Sequence, residues 1–169
     1  MWLWAVIIAM LMVIGSALWI MPSRWERHVA RLRQQAIVGG ASVRLMQFPL
    51  INAEGRVIEA ACDGAAYLFE IPPQEHIHAG WMLVRNQSDV DTDANFTGWG
   101  WYICQHELPE SIMKLLAELV NEMEEYLYAV SISANSIGLG WNEKGDHQTF
   151  QRMQYWADSL KQLIGEIES

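Results

Sequence analysis

Hydrophobic residues are distributed along this chain in three successive patterns. Residues 2–21 form one apolar run without a charge, WLWAVIIAMLMVIGSALWIM. A bilayer's hydrocarbon core is crossed by about 20 such residues in one helix, because each backbone polar group must find its partner inside the helix. The run therefore predicts a transmembrane anchor over 1–21. Trp2 and Trp4 at one end and Trp19 and Trp25 at the other suit the two headgroup levels. The run has no basic n-region before it and no small-x-small site after it, so it reads as an anchor that stays attached rather than as a cleaved leader.

The second pattern is helical and basic. Pro22 stops the apolar run, and Ser23-Arg24-Trp25-Glu26 has the form of a capping box. Trp25, Val29, Leu32 and Ala36 then recur at helical spacing, and Gly39-Gly40 supplies a C-terminal stop. Arg24, Arg27, Arg31 and Arg33 lie in this segment against one acid, Glu26. Residues 22–39 are expected to be a basic juxtamembrane helix lying on anionic lipid. A docking helix for a partner is the rival reading. By the positive-inside rule the N-terminus would face outward and the rest would be cytoplasmic.

The third pattern alternates strand-like and helix-like stretches over 40–169. Strands are predicted at 42–48, 56–62, 65–71, 81–85 and 99–105, with Asn52 to Gly55 and Asp63-Gly64 as turns between the first three. A polar loop is expected over 86–95. Ile112, Leu115, Leu116, Leu119, Val120 and Met123 make an apolar helical stripe behind Pro109 and Glu110. A hairpin follows, 126–133 and 137–142 about Ala134-Asn135-Ser136. Asp146 caps a last helix with Phe150, Met153, Ala157, Leu160, Ile164 and Ile167 inward. The fold class expected is α+β: an N-terminal transmembrane helix, then a two-layer sandwich of a mainly antiparallel sheet and two amphipathic helices.

Charge changes the picture of partners. From Gly40 onward seven basic residues face nineteen acidic ones, a net charge of −12. Such a domain is repelled by nucleic-acid phosphates, so no nucleic acid is expected as a partner. A basic protein suits it better, although acidity also serves solubility. Glu118, Glu122 and Glu125, spaced by four and three, form either a solvated helix face or a docking surface for such a protein. Trp99 and Trp101 share one face of a strand, which makes them core residues first and a stacking or interface surface second.

Metal chemistry has one weak candidate set. His76 and His78, with Cys104 and His106, are residue types that zinc accepts, but tight Cys-x-x-Cys spacing is missing. The two cysteines, Cys62 and Cys104, fall in apolar strands and read as buried thiols, a single bridge being the alternative. The phosphate-binding loop, the nucleophile elbow and the His-Glu-x-x-His motif are all absent, so neither a catalytic residue nor a cofactor is assigned.

The stretches Met21-Pro-Ser-Arg-Trp-Glu-Arg-His, Leu32-Arg-Gln-Gln-Ala, Gly39-Gly40 and Gly138 to Asp146 (GLGWNEKGD) resemble uncharacterised single-span inner-membrane proteins of proteobacteria. The resemblance implies a bacterial inner-membrane location and carries no catalytic residues. The expected function is a membrane-tethered, non-enzymatic adaptor that positions a partner protein, with the bilayer as its second partner. A small-molecule or metal sensor is the alternative.

Overall fold

The computed structural model describes residues 2–4, 6, 7, 10–12, 22–52, 56–72, 80–86, 96–104 and 108–167. By its contacts the chain divides into two compact units, Met1–Arg31 and Leu32–Ser169. The boundary falls inside the first long helix, α1 (Arg24–Val38). The capping box predicted for it is present. Glu26 N–H donates to Ser23 Oγ at 3.1 Å, and Ser23 N–H donates to Glu26 Oε2 at 2.6 Å. Gly40, at φ 85°, takes the left-handed conformation that ends the helix.

Transmembrane crossing is where the sequence reading fails. Among the described residues, no helix is long and apolar enough to cross a membrane. Of the apolar run, Trp2 to Trp4, Val6, Ile7 and Met10 to Met12 are described, and they are helical. The remainder of the run, Trp19 included, lies outside the described residues. Among the described residues the one helix of sufficient length, α3 (His147–Ile167), carries Arg152, Asp158, Lys161 and Glu166. Charges on a spanning helix cost about 2.5–3.5 kcal/mol each at the bilayer centre. The single-pass anchor, the N-out orientation and the inner-membrane location are therefore withdrawn, and the fold class is corrected to α+β with no membrane-crossing helix among the described residues.

Leu32–Ser169 is built on a six-stranded sheet. Its strands are β1 (Ala41–Ile51), β2 (Val57–Glu70), β3 (Trp81–Arg85), β4 (Trp99–Ile103), β5 (Leu127–Ser133) and β6 (Ser136–Trp141). They lie in the order β1-β2-β6-β5-β3-β4, with every neighbouring pair antiparallel. The second helix, α2 (Glu110–Met123), enters the chain between β4 and β5, and α3 closes it.

Alternation along the strands sorts side chains onto two faces. On one face Tyr67, Leu83, Val130, Ile132, Ile137, Leu139 and Trp141 pack against Leu116, Leu119, Met123, Met153 and Leu160 of the helices. Leu32 and Ala36 of α1 belong to the same core. On the other face Phe48 and Ile51 of β1 pack with Ala66, Val84 and Ala129. Glycines make that second core possible. Ile137-Gly138-Leu139-Gly140-Trp141 sends large residues to the helices and bare backbone to the other side. A Cβ on Gly140 would lie 2.4 Å from Phe48 Cε1, and one on Gly64 would lie 2.8 Å from the Trp141 carbonyl oxygen.

Gly64 also explains a second correction. Asp63-Gly64 is no turn; β2 runs straight through it, with Gln47 opposite Asp63 and Met46 opposite Gly64. Its glycine serves close packing rather than chain reversal. The register shifts between Pro49 and Leu50, where the chain lacks a backbone donor, and Ile51 goes on to bridge Asn86 in parallel.

Candidate functional site

Two polar features stand out in Leu32–Ser169, and they have opposite characters. The first is closed. The loop after β6, Asn142 to Asp146, is held by Asn142, whose Nδ2 donates to the Glu125 carbonyl at 2.9 Å and whose Oδ1 accepts from Lys144 N–H at 2.9 Å. Within it Glu143 sits at φ 57°, a left-handed conformation unusual for a residue with a Cβ. That conformation carries the carboxylate inward, where the residue is buried.

Three donor groups meet it there. Arg33 approaches from α1 with Nε donating to Oε1 at 2.7 Å and a second guanidinium nitrogen donating to Oε2. Tyr67, on β2, donates its hydroxyl to Oε1 at 2.9 Å. The Tyr67 ring is wedged against Trp141 and Phe150, at centroid distances of 5.2 and 6.0 Å, which fixes where the hydroxyl can reach. The hydrogen bond to Glu143 raises the pKa of Arg33, against the opposing effect of burial. Burial first, and then the charge of Glu143, raises that of Tyr67 well above the ordinary phenol value. Both carboxylate oxygens are occupied by protein donors. A bidentate arginine and a phenol leave this group satisfied, which suits a structural clasp joining α1, β2 and the loop before α3.

The second feature is open. Glu118, Glu122 and Glu125 all lie exposed on α2 or just beyond its end, opposite the buried stripe of Ile112, Leu116, Leu119, Val120 and Met123. Among the described residues none of these three carboxylates is ion-paired, whereas neighbouring Glu124 has Arg85 at 3.8 Å. Between α2 and α3 runs a groove of about 380 Å³, lined by Ser111, Lys114, Leu115, Glu118, Leu163 and Glu166 among others. A comparable groove of about 410 Å³ lies between the end of α1 and the start of α3. There His147 is bracketed by Gln35 at 3.0 Å and Gln151 at 3.1 Å.

The other residues singled out in the sequence are dispersed. Trp99 is fully buried and Trp101 partly so, with Phe96 edge-on to Trp101 at 5.5 Å. Trp99 therefore offers no open ring face for stacking. His76, His78 and His106 lie outside the described residues, and Cys104 is exposed. Among the described residues no group of three or more His, Cys, Asp or Glu could hold a metal. Cys62 is half-buried, so the expectation of two buried thiols fails for both cysteines.

Of the arginines assigned to lipid, Arg24, Arg27 and Arg31 are exposed, Trp25 is half exposed, and Arg33 turns inward to Glu143. Glu143 itself was missed by sequence reasoning. A comparison of the chain with protein-family models, curated proteins and solved structures finds no match.

Proposed function

We propose that this chain is an interaction module that holds a basic partner protein on the outward face of α2. The observation that carries the reading is the open set of carboxylates Glu118, Glu122 and Glu125. Glu118 and Glu122 are presented on a helix that the core anchors through five buried side chains, Glu125 follows just beyond its end, and among the described residues none of the three is in an ion pair. A net charge of −12 over residues 40–169 extends the same field and steers a cationic partner inward. By contrast, the buried Arg33–Glu143–Tyr67 group uses its polar capacity internally, whereas Glu118, Glu122 and Glu125 are exposed.

The test is crosslinking of the full-length protein, followed by identification of what co-purifies. A parallel sample carries Glu118→Lys, Glu122→Lys and Glu125→Lys together. A single basic protein recovered with the native chain and released by the triple change supports the reading. Recovery that is indifferent to the three reversals removes the α2 face from the account.

A further inference from the structure

We propose that the groove between α2 and α3 seats an amphipathic helix of net positive charge, contributed by the basic partner. This rests on the acidic-face reading above and deepens it by naming the shape of the ligand. Leu115 and Leu163 form the floor. Both pack on the hydrophobic core beneath while remaining partly open to solvent. Ser111 and Ser159, small residues on the two helices, leave room for close approach.

The rim is acidic, with Glu118 and Glu166 against one lysine, Lys114. Gln162 Nε2 donates to Glu166 Oε1 at 3.0 Å and so orients that carboxylate. Glu122, one turn beyond Glu118, prolongs the negative ridge along α2. Two helices lying side by side present a linear trough, and a third helix fills such a trough with apolar residues at three- and four-residue spacing. The charge of the rim selects lysines and arginines on the flanks of that helix. It also disfavours a phosphate-bearing ligand. An added β-strand would need open backbone donors and acceptors, and helix flanks do not supply them.

The experiment uses the full chain and two fluorescent probe peptides of identical leucine and lysine composition. In one peptide the leucines recur at helical spacing; in the other the order is permuted so that no apolar face exists. Binding is read by fluorescence anisotropy. The patterned peptide is expected to bind at least about ten-fold tighter than the permuted one. Ser111→Trp fills the groove from an exposed position on the first turn of α2, and Leu163→Gln makes its floor polar. Each should weaken the patterned peptide about ten-fold with the far-UV circular dichroism unchanged.

If both peptides bind equally and only the triple reversal at Glu118, Glu122 and Glu125 weakens them, the groove proposal is overturned and the acidic face survives. If neither peptide responds to the triple reversal, both readings fall. Self-association of the chain that Ser111→Trp abolishes, seen by sedimentation, would make the occupant a second copy and overturn the partner helix.

Discussion

Replacing Arg33 by methionine should be among the most damaging single changes possible at a partly exposed position of this protein. It keeps the aliphatic stem and removes both guanidinium hydrogen bonds to Glu143, at 2.7 and 2.5 Å. The Glu143 side chain is 8% exposed, so the orphaned carboxylate cannot reach water easily; Arg33 itself is 33% exposed, so some solvent enters where its head group was. Breaking a fully buried pair costs about 3–5 kcal/mol, whereas an exposed pair is worth about 0–1 kcal/mol. The mixed exposure places Arg33→Met between these limits, at about 2–3 kcal/mol.

Urea unfolding followed by tryptophan fluorescence suits a chain with nine tryptophans. With a slope of about 1.5–2 kcal/mol/M, the midpoint should fall by roughly 1–2 M. The control is Arg33→Met in a Glu143→Leu background, where no buried charge is left to orphan and the added cost should be near zero. A midpoint that moves by less than about 0.5 kcal/mol equivalent in the native background, or by the same amount in both backgrounds, refutes the clasp.

Three further outcomes follow from the same geometry. Gly140→Ala forces the Phe48 ring away from its seat on bare backbone, where a Cβ would lie 2.4 Å from Cε1. It should lower stability by about 1–3 kcal/mol in thermal unfolding, with partial recovery in a Phe48→Leu background. Because Tyr67 is held protonated above its ordinary range, its contribution is complete below about pH 10 and is lost as pH rises through the folded value. An alkaline stability titration should show this fall in the native chain and a shallower one in Tyr67→Phe. Asp146 has the opposite sign. The Thr149 backbone N–H lowers its pKa, so its contribution is present above about pH 4 and is lost as pH falls through the folded value. Asp146→Asn should flatten the acid limb of the same titration.

Local chemistry made much of the fold legible. The capping box at Ser23, the stripe on α2, the Asp146 cap and the Ala134-Asn135 hairpin each depend on residues within a few positions of one another. What escaped depends on distance along the chain. Glu143 meets a partner 110 residues away, and nothing in Asn142-Glu143-Lys144 distinguishes it from a solvated loop acid. Arg33 was absorbed into a run of arginines whose common charge suggested a common surface. In fact the turn between Arg31 and Arg33 carries the second onto the side of α1 that faces the core.

Glycine misled in one place and was under-read in another. Asp63-Gly64 has turn composition, yet Gly64 is needed because Phe48 and the Trp141 backbone crowd it. The sequence over 137–142 predicts a strand, while the bare backbone that Gly140 exposes to Phe48 becomes visible only once β1 and β6 are placed in one sheet. The apolar run at the N-terminus has the composition of a span, yet no helix among the described residues is long and apolar enough to be one. The acidic face needed only helical periodicity, and Glu118, Glu122 and Glu125 are exposed.

The most direct measurement of the central claim is site-specific photo-crosslinking in living cells from residue 122 on α2, compared with residue 42 on β1, both exposed positions. The account predicts one protein trapped from position 122, through a lysine- or arginine-rich peptide identified by mass spectrometry, and nothing equivalent from position 42. The same adducts from both positions, or a trapped peptide without excess basic residues, would contradict it.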